Sequence, residues 1–136
     1  MTLPRDTIFP LEAHSKAKHA ILKRYLEARF PILNTYHHRI VYIDGFAGPG
    51  IYSGGEPGSP IIALNAAIKH RITLTGNVEF YFIDERPDRI ECLNEELKKL
   101  KIPSNFFIKD PKTARFHDEI ESVLALYCSP LIDNWG

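Results

Sequence analysis

Hydrophobic and polar positions change period several times along this chain, and each change predicts an element. From Ser15 to about Phe30, Ala17, Ile21, Tyr25 and Ala28 recur at intervals of three or four. Leu22 and Leu26 widen that stripe, and Lys16, Lys18, Lys23, Arg24 and Arg29 occupy the rest, which is the pattern of an amphipathic helix. Ser15 is the expected N-cap and Pro31 the expected stop, while Pro4 and Pro10 keep residues 1–13 irregular. Ile40 to Ile43 is too short for a helix and is β-branched and aromatic, so it reads as a buried strand. Ser59 and Pro60 form an N-cap and first-turn pair, opening a helix through Ile61, Ile62, Leu64, Asn65 and Ile68 to about His70. Glu79 to Asp84 is apolar and aromatic without alternation, as in a parallel strand covered on both faces. Pro87 starts a helix whose apolar positions are Ile90, Leu93, Leu97 and Leu100. Phe106 to Ile108 reads as a third strand, followed by a helix from about Thr113 through Phe116, Ile120, Val123, Leu124 and Tyr127. The tail Ser129 to Gly136 reads as the start of a fourth strand. The alternation predicts an α/β domain with parallel strands, the helical segment 1–38 preceding a partial Rossmann-like sheet over 39–136.

The strand at Ile40–Ile43 ends in Asp44 and breaks at once into Gly45, Gly48 and Gly50. Such glycines permit positive φ and let a ligand approach main chain without meeting a Cβ. No Lys-Ser or Lys-Thr follows, which excludes a phosphate-cradling P-loop. The third glycine of a dinucleotide fingerprint is replaced by Ser53. What stands here is Asp44-x-Phe46-x-Gly48-x-Gly50, with Ala47 adding a further small residue. An ordinary glycine-rich turn capped by Asp44 is the competing reading. The loop 51–60 that follows is long and dense in turn residues; Glu56 within it is expected to be exposed, though able to serve as ligand or general base.

Two further acids end the later strands. Asp84, followed by Glu85, lies 40 residues after Asp44, and a carboxylate there can accept two hydrogen bonds from the vicinal diol of a ribose. Asp110 follows the third strand. Successive right-handed βαβ units would open all three carboxyl ends on one edge of the sheet, where ligands of such folds bind.

Composition narrows this picture little. The 136 residues are 44% hydrophobic and 25% charged, enough for one domain with its own core. Formal net charge is zero, so no whole-chain field selects nucleic acid or membrane. The first forty residues carry seven Lys or Arg against three Asp or Glu, and residues 79–121 carry eight against eleven. The basic excess reads as a solvated helix face, with His14, Lys16 and Lys18 pointing to solvent. His37 and His38 are adjacent and cannot easily share a metal ion, and Cys92 and Cys128 match no metal spacing, so no metal site is expected. Two free thiols, no apolar leader and no long apolar run point to a cytoplasmic chain without a membrane span.

The segment Asp44 to Gly50 resembles the first motif of class I S-adenosylmethionine-dependent methyltransferases, in the variant with Phe46 where many members have a glycine. The resemblance is closer to one group. His14-Ser-Lys-Ala-Lys-His-Ala-Ile-Leu-Lys-Arg-Tyr-Leu, Pro31-Ile-Leu, Tyr42 to Gly50 and Gly54-Gly-Glu-Pro-Gly-Ser-Pro60 together resemble the three-Cys-motif partner protein family, a bacterial group, over roughly residues 10–128. The resemblance implies a class I methyltransferase-like fold and S-adenosylmethionine as cofactor. It implies that Asp44, Gly45, Phe46, Ala47, Gly48, Gly50, Asp84, Glu85 and Asp110 bind that cofactor, Asp44 facing its amino-acid part and Asp110 lying near its adenine. It also implies a neighbouring protein with three cysteines as partner. Asp133 to Gly136 stands where the family has an Asp-Pro-Phe-Gly segment, with Asn134 in place of the proline. A complete domain of this class has more strands than are predicted here, so the expectation is its amino-terminal half, with the pocket for the methyl acceptor missing.

Two functions follow as expectations. One is a methyltransferase-like protein, whole or truncated, acting on nucleic acid or protein, for which no catalytic residue is singled out. The other is a non-catalytic nucleotide-binding or assembly module whose open sheet edges pair with a partner protein or a second copy. A nicotinamide-dependent half-domain is disfavoured by the absent third glycine.

Overall fold

The computed structural model describes residues 7–69 and 73–124. The elements run α1 (Ala13–Tyr36), β1 (Arg39–Asp44), α2 (Ser59–Ile68), β2 (Asn77–Asp84), α3 (Pro87–Lys98), β3 (Phe106–Ile108), β4 (Lys112–Thr113) and a final helix, α4, over 116–124. This is an α/β fold with a small open parallel sheet in the order β1-β2-β3, compatible with a Rossmann-like fragment. The expected fourth strand and Asp133 to Gly136 lie outside the described residues.

β2 is central and buried along most of its length because it is paired on both sides and covered by side chains on both faces. Phe80 packs at 5.9 Å from Tyr42, 6.1 Å from Phe82 and 5.8 Å from Phe106 between ring centroids, so one aromatic cluster ties all three strands together. Burying such a side chain contributes roughly 1.5–3 kcal/mol. Leu26 and Phe30 of α1, Ala63, Leu64 and Ala67 of α2, and Leu93 and Leu97 of α3 complete the core.

α1 departs from expectation in three ways. It starts two residues before Ser15, after Glu12, and it runs through Pro31 to Tyr36. The proline removes one helical N–H, yet Phe30 is buried on one side of it and Leu33 packs against the core on the other. Beyond it, Asn34 accepts hydrogen bonds from the backbone amides of Thr75 and Gly76, fastening the last turn to the entrance of β2. The third departure concerns the buried face. Leu22, Leu26, Phe30 and Leu33 face the core, whereas Ile21 (69% exposed) and Tyr25 (59%) stand outward in one line with Ile32 and Tyr36 (77%).

β3 and β4 are successive parts of one path along β2. Val78 pairs with Phe106 and Phe80 with Ile108, but Ile83 pairs with Lys112 and Asp84 with Thr113, so Lys109, Asp110 and Pro111 stand against only Tyr81 and Phe82. That extra residue is a bulge, and Pro111 has no N–H to give the ladder. The helix expected from Thr113 therefore begins later: Thr113 belongs to β4 and Ala114 donates to the carbonyl of Asp84 at 2.9 Å. No helix among the described residues is long and apolar enough to cross a membrane.

Candidate functional site

Parallel pairing brings the ends of β1 and β2 side by side, with Asp44 opposite Phe82 and Asp84 two residues further on. The turn after β1 is tied to β2 twice. Ala47 donates its amide to the Ile83 carbonyl at 2.9 Å, and Gly48 donates its amide to Oδ2 of Asp84 at 2.9 Å. Gly48 has φ +69° with open space on its Cβ side, and Gly50 has φ +83° with Leu93 close to where a Cβ would stand. Both positions require the left-handed region that glycine alone enters without penalty.

Asp84 is 9% exposed and spends one acceptor site on each oxygen, since Oδ1 takes the Arg86 amide at 2.9 Å. Each carboxylate oxygen has further lone-pair capacity. Asp44 holds its own turn through the Phe46 amide at 3.1 Å, and Ser59 donates its hydroxyl to Oδ2 at 2.5 Å. Ser59 is thus the first residue of α2, not its cap, and its side chain is turned to Asp44. Burial pushes the Asp44 carboxyl above the usual carboxylate range, the Ser59 and Phe46 hydrogen bonds opposing the shift and the Asp84 charge adding to it.

These elements enclose a cavity of about 240 Å³ lined by Phe46 to Tyr52, Gly58, Ser59 and Asp84, with Phe9, His19 and Arg89 on its other side. The loop 51–58 is closed on itself by an Ile51–Pro57 bridge and by the Gly58 amide donating to the Gly50 carbonyl at 2.9 Å. Ser53 then donates to the Phe9 carbonyl at 2.9 Å, which carries the segment before α1 onto the site. Glu56, expected to be exposed, is partly buried, with Oε1 folded against Gly54. His19 enters from α1, its Nε2 3.3 Å from the Tyr52 hydroxyl.

Of the residues singled out in the sequence, the structure gathers Phe46, Ala47, Gly48, Gly50 and Asp84 around this cavity, with Asp44 reaching it through Ser59. Gly45 lies beneath the ring of Phe116, and Phe46, 78% exposed, stacks on that ring at 5.8 Å. Glu85 is exposed at the mouth of the following bend. Asp110 is exposed in the bulge and lines a different cavity, of about 220 Å³, with Tyr81, Lys112 and Glu119. A third cavity, about 450 Å³, lies between α1 and α2 and carries only Lys23, Glu27, Lys69 and Asn65 as polar lining, far in character from the glycine turn. Among the described residues no cluster of His, Cys, Asp or Glu is arranged to hold a metal ion.

Tyr52, Phe9 and Arg89 line the site without having been marked by any motif, and His19 and Ser59 line it although the sequence alone assigns them no ligand role. His19 sits on the core-facing side of α1, a position that helical spacing from Leu22 and Leu26 would have indicated. Comparison with family models, with curated proteins and with solved structures finds no match to this chain.

Proposed function

We propose that this chain binds S-adenosylmethionine at the β1–α2 turn and is methyltransferase-like. The observation that carries the reading is the pairing of Gly48 with Asp84: an open, positive-φ glycine whose amide holds a buried acid at the end of the adjacent parallel strand. Gly48 leaves the volume beside the main chain free, and Asp84 keeps lone pairs for a ribose diol. The cavity is smaller than the roughly 300–1,000 Å³ of complete small-molecule sites, so it takes part of such a ligand and the remainder crosses the open rim at Phe46. Bound S-adenosylmethionine supplies an activated methyl group; this chain supplies position and orientation. Titration calorimetry with S-adenosylmethionine and S-adenosylhomocysteine tests the reading. Binding of both, abolished by Gly48→Val and weakened by Asp84→Ala, is expected; a folded wild-type chain that binds neither overturns it.

A second reading, favoured by the outward line of Ile21, Tyr25, Ile32 and Tyr36, is a non-catalytic assembly module that keeps the nucleotide cleft and docks a partner protein. The resemblance to three-Cys-motif partner proteins makes a three-cysteine protein the first partner to test. Methyl transfer to a nucleic-acid or protein panel separates the two, since the module binds the cofactor without turnover.

A further inference from the structure

α1 carries two apolar stripes, and only one of them is spent on the core. Ile21, Tyr25, Ile32 and Tyr36 are exposed, and Ala28, exposed as well, completes the line between Tyr25 and Ile32. Steps of four, three, four and four residues keep these positions on one side of the helix. At 1.5 Å of rise per residue the strip is roughly 22 Å long. Its spacing is that of the narrow seam along which one helix lies against another, and the small side chain of Ala28 at its middle lets the two axes come close.

Charge selects what can lie there. Helical geometry places Arg24 on one side of the strip and Arg29 on the other, and Lys18 continues the line toward the amino end. All three are exposed, and none has an acidic partner among the described residues. The acids of this segment stand elsewhere: Glu27 pairs with Lys23 at 3.9 Å and lines the cavity toward α2, and Glu12, at the cap, lies 3.3 Å from His14, more than two turns before Ile21. The face is therefore apolar along its centre with a positive rim. In paired helices the residues flanking the seam choose the partner by charge. A second copy of this chain, laid parallel or antiparallel, sets another arginine against Arg24 and Arg29, whereas a helix with flanking carboxylates meets both with the opposite sign. A nucleic acid finds no cation along the middle of the strip between Ile21 and Tyr36 for its phosphates.

We propose that the outward face of α1 docks an acidic amphipathic helix of a partner protein, whose apolar seam covers Ile21, Tyr25 and Ile32 and whose flanking carboxylates meet Arg24 and Arg29. This deepens the assembly reading given under Proposed function and rests on it. The test titrates the full chain with two synthetic helical peptides that share one leucine seam, the first with glutamate and the second with lysine at the flanking positions. The glutamate peptide is expected to bind at least about 10-fold more tightly than the lysine peptide at low salt, the ratio falling as salt is raised. Arg24→Glu combined with Arg29→Glu reverses the preference, and Ile21→Glu abolishes binding of both. A chain that binds neither peptide, or both equally, overturns the proposal. Sedimentation showing a dimer that Ile21→Glu dissociates assigns the face to a second copy and overturns it also. Binding to phosphatidylserine vesicles that Ile21→Glu abolishes, without binding of the glutamate peptide, assigns the face to a lipid surface with the same consequence. The assembly reading is judged apart from this, by co-purification of the chain with the three-cysteine protein: co-purification that survives Ile21→Glu and the double arginine reversal overturns the assignment of this face and leaves the module standing.

Discussion

The Gly48 amide donates to the Asp84 carboxylate across 2.9 Å, joining the turn after one strand to the acid that ends its neighbour. Neither residue is fully explained by its own element. Gly48 keeps a strained-for-others φ of +69°, and Asp84 is a buried acid whose two oxygens hold two loop amides, Gly48 and Arg86. Together they set the position of the turn over the sheet edge.

Substitution at the two positive-φ glycines separates backbone strain from space. Gly48→Ala meets open space, so its cost is that of the left-handed conformation, about 1–2 kcal/mol. Gly50→Ala incurs the same conformational cost and drives a Cβ to 2.9 Å from Leu93 Cδ1, so its loss is larger. Urea unfolding of both variants checks the order.

Phe116 and Gly45 form a contact that a double-mutant cycle isolates. A Cβ on Gly45 would overlap Phe116 Cδ1, so Gly45→Ala must displace the ring and loosen α4 from the site. In a Phe116→Ala background the same substitution is expected to cost little, giving a coupling of about 0.5–3 kcal/mol. Amide exchange over residues 116–124 should rise in Gly45→Ala alone.

Asp44 makes stability depend on pH with an unusual sign. Its pKa is raised in the folded state, so the folded chain holds more protons than the unfolded one above the ordinary Asp value of about 3.9. Its contribution is full below that value and is lost as pH rises through the raised folded pKa. Asp44→Asn removes this loss while still offering an acceptor to the Phe46 amide. The difference in urea midpoint between Asp44→Asn and wild type should therefore shift in favour of the variant from pH 4 to pH 7; a constant difference would contradict it.

The two faces of α1 should respond oppositely. Phe30→Ala in the core is expected to cost about 3–5 kcal/mol and Leu26→Ala about 2–5 kcal/mol. Ile21→Glu and Tyr25→Glu on the outward face should change stability by no more than about 0.5 kcal/mol. If the chain works as an assembly module, those two substitutions abolish partner binding while thermal unfolding stays put.

Much of the architecture was legible in sequence because it rests on local patterns. The apolar run at Glu79–Asp84 announced a parallel strand covered on both faces, and Pro87 marked the start of α3 to the residue. Pro31 misled, because the stop it signals is a local cost of a few kcal/mol that flanking burial of Phe30 and Leu33 and the Asn34 cross-links outweigh. Asp110 was correctly placed after the third strand, yet a one-residue bulge, invisible without the partner strand, turns it to another cavity.

By itself the sequence determined the order and kind of the elements as far as β3, and the acids that end the first two strands, since spacing and turn chemistry act over a few residues. Only the tertiary structure decided which of two apolar stripes on α1 is buried, and that His19, Phe9 and Arg89 meet Tyr52 at the glycine turn. Those outcomes depend on packing between side chains distant along the chain, where the competition is won by the surfaces that can be covered together and no single segment carries the answer.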